Sequence, residues 1–303
     1  MSIPTTLVGN TQILRNANLD PLSDRQLKQF APTIFAESGI EGVSERYGHV
    51  STIDIINAMR KNGFEPVEVR QSKRRAEERM AYTKHMLKFR QKGDVRKLTV
   101  GDVVQQAVML NSHDRSSGFH LYHGLFRLIC SNGMLVGDSA NVEPIKVHHT
   151  VRLVQDIVER SIALIEHGEN VLDLRKTMLK TILNERQVNQ FAVAALEFRP
   201  ARRKGVMEPA ALLEVRRPED NKSDLWHIYN RVQENMLRAG NETATETGRM
   251  TRTRGIGRIE RDVSVNTKLW SLAVQTIEKA RKAAAKGAPA KRAKKAAEVT
   301  DEI

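Results

Sequence analysis

Cysteine is nearly absent from this sequence, and its scarcity limits the classes of protein that fit. A single cysteine among 303 residues, Cys130, excludes an intramolecular disulfide framework and is typical of a reducing compartment. No apolar run reaches the length of about 18 residues that a transmembrane helix needs, and residues 1–10 lack the basic and apolar regions of a signal peptide. We therefore expect a cytoplasmic protein that does not contact membranes.

Catalytic and nucleotide-binding motifs are also missing. Gly255 and Gly257 stand next to Arg258, but they lack the strand, GxxxxGK and helix context of a nucleotide-binding loop. Cys130 lies in an apolar run, where burial raises the pKa of a thiol and makes it inert. We therefore predict a protein with no catalytic residues and no cofactor.

Two histidine pairs suggest a metal site, but the sequence offers no further ligands. His120 and His123, like His148 and His149, have no accompanying cysteine or clustered carboxylates. On a strand His120 and His123 would point to opposite faces, whereas on a helix they would share a face. We predict no metal site, and structural or surface roles for these histidines.

Positive charge is what the sequence has in excess. Residues 279–303 contain eight basic and three acidic residues, so they carry +5 of the net +13 and leave +8 on the body. The Lys/Ala/Gly/Pro composition beyond residue 279 predicts a disordered basic tail. A body that remains basic favours a polyanionic partner, with an ordinary excess of lysine and arginine as the alternative.

The centre of the predicted core is the apolar stretch at residues 118–138. Leu121 and Leu125 lie on one parity, and Tyr122 and Phe126 lie on the other. A strand here would therefore be buried on both faces.

This stretch also contains one charged residue and one turn signal. Arg127 is a charge inside the apolar run, and we expect it to reach either the basic surface or a buried carboxylate. The Asn132-Gly133 turn signal predicts that residues 134–137 pair back as the second arm of a hairpin.

The first half of the chain alternates between helix and strand patterns. Ser51 or Thr52 can cap a helix that stops at Asn62-Gly63. Residues 64–69 then alternate like a strand, and residues 102–111 fit either a buried strand or a short helix.

Helical patterns dominate the second half of the chain. Apolar positions predict a helix at residues 151–165 and one or two helices at residues 172–198. Asp224 is an N-cap candidate for a helix that runs to Gly240. Residues 200–221, rich in proline and arginine, predict a mobile basic excursion around a short helix.

The predicted fold class is therefore α+β. A mixed or antiparallel sheet in the N-terminal half is packed by helices, and a helical C-terminal half precedes the tail. We expect a flexible N-terminus at residues 1–19, a single domain at residues 20–278 that a helical subdomain at 151–278 could subdivide, and a disordered tail at 279–303.

Three basic regions supply the candidate nucleic-acid-binding residues. Residues 60–92 contain eleven lysines and arginines against four glutamates. Within them, residues 82–90 alternate, so an extended strand would present a cationic strip, either for phosphate contact or as a plain exposed edge. The other regions are residues 199–217 and the arginines around two glycines at residues 249–261. The predicted binding residues are Arg74, Arg75, Tyr82, Lys84, Lys88, Arg90, Arg202, Arg203, Lys204, Arg249, Arg252, Arg254 and Arg258.

Several segments in a fixed order resemble a known family. They are VSERYGHVSTIDIINAMRKNGFEPVEVRQSKRR, TKHMLKFR, LNSHDRSSGFHLYHGLFRLICSNGM, WHIYNRVQENMLRAG and RTRGIGRIERDVSVNTKLWSLA. The pattern runs from about residue 20 to residue 275 and resembles domain-of-unknown-function family 932, which occurs on phages and plasmids. The resemblance implies a protein of mobile elements and supplies no catalytic residues.

Charge and resemblance together lead to a functional hypothesis. No helix-turn-helix or zinc-finger spacing appears, so recognition of a specific duplex sequence is not expected. We predict a DNA-binding accessory protein of a plasmid or phage that binds single-stranded DNA without sequence specificity. It would act in recombination, replication or establishment, with strand annealing as one mode. The alternative is a protein-interaction module without catalytic activity, such as a host-defence antagonist. The sequence leaves homo-oligomerisation open.

Overall fold

An antiparallel sheet from the N-terminal half packs against helices, which make up most of the C-terminal half. The structure is a computed structural model, and it describes residues 5–8, 11–16, 19–41, 49, 51–73, 77–92, 102–114, 116–127, 133–135, 153–166, 168–199, 207–244 and 247–287. The predicted α+β class is confirmed, and the sheet is antiparallel rather than mixed.

Within these residues seven strands form one sheet, and they lie side by side in their order along the chain. Each neighbouring pair is antiparallel. The strands are β1 (Thr5–Val8), β2 (Thr11–Arg15), β3 (Phe64–Ser72), β4 (His85–Gln91), β5 (Val103–Asn111), β6 (His120–Arg127) and β7 (Gly133–Leu135).

The helices and a separate two-stranded hairpin complete the fold. The helices are α1 (Asp24–Phe30), α2 (Thr52–Lys61), α3 (Leu153–Glu166), α4 (Glu169–Lys180), α5 (Glu185–Leu196), α6 (Pro209–Leu213), α7 (Leu225–Leu237) and α8 (Ile259–Gly287). Strands β8 (Glu242–Ala244) and β9 (Met250–Arg252) form the hairpin, which the sequence did not predict.

Helix α2 shows how local signals set an element. The Ser51 hydroxyl accepts a hydrogen bond from the backbone N–H of Asp54, which caps the helix, and Asn62 ends it. Gly63 then adopts φ of +80°, a left-handed conformation that favours glycine. These bounds agree with the helix predicted from the same residues.

The two faces of the sheet pack against different helices. Leu87 and Met109 on one face belong to a large apolar cluster with α1, α2 and α3. Val108 on the opposite face belongs to a smaller cluster with Ile259 and Val263, at the start of α8. The rest of α8 packs with α4 to α7 in a third cluster. Helix α8 therefore connects the sheet to the helical half.

The N-terminal segment differs from the prediction of a flexible stretch at residues 1–19. Strand β2 pairs with β3, and Leu14 is fully buried in the core of the sheet. The pairing partner of this short strand lies more than 50 residues away, so local sequence patterns gave little sign of it.

The predicted boundary of the tail also differs. Helix α8 continues to Gly287, so the first nine residues of the segment predicted as disordered are helical. Alanine and lysine have high helix propensity, which accounts for this extension. Residues 288–303 lie outside the described residues.

Candidate functional site

Strand β4 shows the alternation predicted for residues 82–90, but its cations are buried. Lys88 and Arg90 on β4 and Lys84 directly before it have the same parity and so lie on the same face, and each is less than a tenth exposed. Strand β4 pairs with β3 on one side and β5 on the other. The prediction of an exposed edge strand is therefore wrong, and these three side chains do not form a surface strip in this conformation.

The buried carboxylate of Glu68 on β3 organises the charges on this face. Its Oε1 lies 2.7 Å from Arg70 Nε and 3.0 Å from Lys88 Nζ, and its Oε2 lies 3.1 Å from Arg15 Nη1. Arg70 also pairs with Asp262, in the first turn of α8. This ion-pair network, comprising Glu68, Arg15, Arg70, Lys88 and Asp262, joins three strands to α8.

Burial and neighbouring charges shift the pKa values in this network. Burial alone would raise the pKa of Glu68, but the charges of Lys88, Arg70 and Arg15 outweigh it and hold that pKa well below its usual range. Burial lowers the pKa of Lys88 to about 8, against the opposing effect of Glu68. The charged form of Lys88 is therefore less favourable here than in water.

The remaining predicted residues of the first basic region are placed differently. Lys84 donates a hydrogen bond of 2.9 Å to the Ser116 carbonyl and pairs with Glu260 of α8. Tyr82 is half-buried at the end of a 3-10 turn at Glu77–Tyr82. Arg74 and Arg75 lie outside the described residues.

The second basic region uses its described arginines to fix the C-terminus of α7. Arg199 donates a hydrogen bond of 3.2 Å to the Met236 carbonyl, and Arg216 donates one of 2.5 Å to Asn235 Oδ1. Arg217 pairs with Glu234 at 3.0 Å. Cations at a helix C-terminus are favoured by the helix dipole. The segment from 207 onward is therefore not the mobile excursion predicted.

The other candidates of the second basic region cannot be placed. Arg202, Arg203 and Lys204 lie outside the described residues.

The third basic region places four arginines in and after the β8–β9 hairpin. Arg249, Arg252, Arg254 and Arg258 all have exposed side chains. Within the part of the chain that the structure describes, Arg252, Arg254 and Arg258 form no ion pair. We call residues 249–258, which hold four of the five arginines of the third region, the arginine segment. It presents accessible positive charge.

The backbone of the arginine segment is held in place while its side chains face solvent. The Thr253 N–H donates to the Asn241 carbonyl at 2.8 Å, and the Ile256 N–H donates to the Leu237 carbonyl at 2.9 Å. Arg199 donates to the Arg254 carbonyl at 3.0 Å. A fixed backbone with solvated guanidinium groups can contact a flexible polyanion at several points.

A buried histidine cluster at one end of the sheet was not predicted. His85 Nδ1 lies 3.1 Å from the Thr83 carbonyl, which assigns the proton to Nδ1 and leaves Nε2 to accept from the Thr52 hydroxyl at 3.0 Å. The Thr52 oxygen also accepts from Asn111 Nδ2 at 3.1 Å. The ring of His113 lies 5.4 Å from that of His85. The cluster joins the start of α2 to the ends of β4 and β5.

His85 and His113 are neutral at physiological pH. Burial lowers the pKa of His85 to about 4. Burial and then the neighbouring His85 and His49 lower the pKa of His113 to about 3. The two side chains are fully buried, so the cluster fixes the fold rather than meeting a substrate.

The histidines that the sequence singled out have other positions. His120 and His123 both belong to strand β6 rather than to a helix. Cys130, His148 and His149 lie outside the described residues. Among the residues that are described, no group of three or more histidine, cysteine, aspartate or glutamate side chains could hold a metal ion. In the same residues, no helix combines the length and apolarity needed to cross a membrane.

Comparison with known proteins places the sequence in a family. A model of the domain of unknown function DUF932 matches residues 40–270. The chain belongs to the DUF932 family. This agrees with the resemblance seen in its sequence motifs. Three of those motifs contribute His49, His85 and His113 to the histidine cluster.

Two curated relatives share most of their length with this DUF932 protein. The UPF0380 protein YfjQ of Escherichia coli strain K12 is 32% identical over 253 residues, which cover 84% of this chain and 90% of YfjQ. The UPF0380 protein YafZ of the same strain is 31% identical over 253 residues, which cover 84% of this chain and 90% of YafZ. No solved structure matches. Neither the family description nor these names assign a catalytic activity or a partner.

Proposed function

We propose that this DUF932 protein binds single-stranded DNA without sequence specificity, and that the arginine segment makes the first contact. The supporting observation is the exposure of Arg249, Arg252, Arg254 and Arg258 on a short stretch with a fixed backbone. By contrast, Lys84, Lys88 and Arg90 are buried. The surface available to phosphates therefore differs from the one that alternation on β4 suggested.

A single strand suits this segment better than a duplex. Non-specific single-strand binding depends on cations that follow a flexible backbone, and it tolerates any base sequence. The described residues place no isolated recognition helix beside the arginines, since α8 is packed against the sheet and α7. Duplex reading in the major groove normally uses such a helix.

The setting we propose is an accessory role for a plasmid or phage in recombination, replication or establishment, with strand annealing as one mode. The resemblance to a family of phages and plasmids supports this setting. One observation supports the alternative of a protein-interaction module. Met250, which lies between the arginines on β9, is 63% exposed. An acidic protein partner would use both the arginines and this apolar side chain.

Fluorescence anisotropy with a labelled oligo(dT) of about 30 nucleotides tests the proposal at about 50 mM salt, where electrostatic binding is strong. Unlabelled single-stranded DNA, duplex DNA and poly-glutamate are the competitors. We expect single-stranded DNA to compete best. Competition by poly-glutamate alone would support the acidic-protein alternative, and an absence of binding would contradict nucleic-acid binding.

The tail needs a separate arm of this experiment. A full-length variant with Lys291, Arg292, Lys294 and Lys295 changed to glutamine removes the charge of the last basic residues. We expect it to retain most of its affinity for oligo(dT). Complete loss of binding would assign the activity to the tail instead of the arginine segment.

A further inference from the structure

The seam between the sheet and the first turn of α8 is built from opposite charges. On the sheet side, Arg15, Arg70 and Lys88 all pair with the single carboxylate of Glu68. Helix α8 supplies Asp262 to Arg70, and its Glu260 pairs with Lys84. The cations therefore belong to the sheet, and two of the three carboxylates that pair with them belong to one turn of α8.

These two carboxylates occupy the positions that phosphate groups would take on a cationic sheet face. Lys84 and Lys88 are four residues apart on an extended chain, which places their Cα atoms roughly 13 Å apart along the strand. Arg70 stands on the neighbouring strand β3, where its partner in the register is Met86. The result is a cationic surface that runs across two central strands and is covered by α8.

The cover is held by a small apolar contact. In the described residues, the seam contains five buried apolar side chains, namely Met86, Val108, Leu110, Ile259 and Val263. From Val265 onward, α8 packs into the much larger cluster of the helical half. The first turn of α8 can therefore open while the rest of the helix stays packed, since local opening is easiest where few apolar contacts are lost.

A buried amide on the same sheet face is incompletely satisfied. Gln106 on β5 is 1% exposed, and neither its Nε2 nor its Oε1 has a hydrogen-bond partner in the part of the chain that the structure describes. It shares the sheet face of Val108, two residues away. Burial also lowers the pKa of Lys88 to about 8. Both groups would gain from an additional polar ligand.

The seam lies next to the arginine segment. Arg258 is followed directly by Ile259, the first residue of α8, and the Thr11 hydroxyl donates to the Gly257 carbonyl. A polyanion bound by the arginine segment would therefore approach Glu260, whose side chain is 52% exposed, and would repel it. The repulsion acts on the turn that covers the sheet cations.

We propose that the sheet face carrying Arg70, Lys84 and Lys88 is a second phosphate-binding surface, and that the first turn of α8 closes it through Glu260 and Asp262 until single-stranded DNA displaces them. This inference rests on the proposed function. The arginine segment captures the strand, and the opened sheet face then extends the contact. The wild-type protein therefore binds single-stranded DNA less tightly than a permanently open form would.

The test uses the full chain with Glu260→Gln and Asp262→Asn together, measured against labelled oligo(dT). The matched control carries Asp173→Asn and Glu185→Gln, which remove the same charge from exposed positions on α4 and α5. We expect the seam variant to bind about tenfold more tightly than wild type, which corresponds to about 1.4 kcal/mol. The control should gain about twofold or less. Equal affinities of seam variant and control would overturn the proposal.

Hydrogen exchange on the wild-type protein gives a second readout that needs no variant. We expect the backbone amides of residues 259–264 to exchange faster when oligo(dT) is bound, while those of residues 269–277 stay protected. Unchanged or slower exchange at 259–264 in a protein that binds DNA would overturn the proposal that the first turn of α8 opens, and it would leave the proposed function standing. An absence of DNA binding by wild type would instead contradict both.

If the double variant is poorly folded, Glu260→Gln alone takes its place. Glu260 is half-exposed and contributes no apolar contact to the seam, so its replacement should leave folding intact. We expect the single variant to gain affinity by about threefold. No gain in affinity would contradict the proposal that Glu260 keeps the sheet face closed.

Discussion

Arg127 on β6 donates a hydrogen bond of 2.6 Å to Asp220, and both side chains are buried. The two residues are 93 positions apart in sequence. Asp220 ends a short 3-10 turn shortly before α7, so this pair connects the sheet to the helical half. Of the two roles expected for Arg127, the structure shows contact with a buried carboxylate.

The first prediction concerns this pair. Arg127→Met removes the cation and leaves the carboxylate of Asp220 buried beside the ion-pair position. We expect the free energy of unfolding to fall by about 3–5 kcal/mol, because an uncompensated buried charge is costly. Urea denaturation measures it.

A double-mutant cycle separates the pair from its surroundings. Arg127→Met combined with Asp220→Leu should cost clearly less than the sum of the two single changes. Strict additivity would show that the two side chains do not stabilise each other.

The second prediction compares two residues of the network around Glu68. Glu68→Gln leaves Arg15, Arg70 and Lys88 without their shared carboxylate, so we expect a loss of about 3–5 kcal/mol in unfolding free energy. Lys88→Met removes the cation whose pKa is lowered by burial and keeps a similar volume, so its cost should stay below about 1.5 kcal/mol. Chemical denaturation of both variants checks the asymmetry. A larger cost for Lys88→Met than for Glu68→Gln would contradict our account of the network.

The third prediction concerns acid sensitivity from the histidine cluster. The pKa values of His85 and His113 are about 4 and 3 in the folded protein, against 6.5 without the fold. Between these pKa values the unfolded chain binds more protons than the folded chain. The contribution of these histidines to the free energy of unfolding is therefore highest above pH 6.5, and it decreases as the pH falls, down to about 4 for His85 and about 3 for His113. Each histidine should contribute up to about 1.4 kcal/mol per pH unit in this range.

Histidine variants test this slope rather than the absolute stability. Urea denaturation from pH 7 to pH 5 should show a shallower pH dependence for His113→Gln and His85→Asn than for wild type. Slopes equal to that of wild type would mean that these side chains are protonated to the same degree in both states.

The elements that local sequence could predict are those with local causes. Ser51 and Gly63 set the ends of α2 through caps within a few residues, and the alternation of β4 was correctly read. Whether Lys84 and Lys88 are exposed depends on β3, β5 and α8, and α8 begins more than 160 residues after β4. Strand propensity carries no information on such partners.

The histidine cluster was missed for the same physical reason. Thr52, His85, Asn111 and His113 meet only after α2, β4 and β5 have packed together. Singly, each of these histidines gives no signal in the sequence. The pairs His120/His123 and His148/His149 drew attention instead, to a metal site that we predicted to be absent. The arginine segment was predicted because its charges are close together in sequence. Its hairpin was not, because each strand is only three residues long.

The salt dependence of oligo(dT) binding tests the central claim most directly. The variant is Arg252→Gln, Arg254→Gln and Arg258→Gln in the full chain. The control changes the exposed Arg25, Lys28 and Lys61 to glutamine. These residues lie on α1 and α2, which pack on the other face of the sheet.

Each phosphate contact on a single strand contributes about 0.7 to the slope of log affinity against log salt. We expect the arginine variant to lose about 2 units of this slope and about tenfold or more in affinity, and the control to keep the wild-type slope within about 0.5. A wild-type slope in the arginine variant, or an equal loss in the control, would contradict binding through the arginine segment.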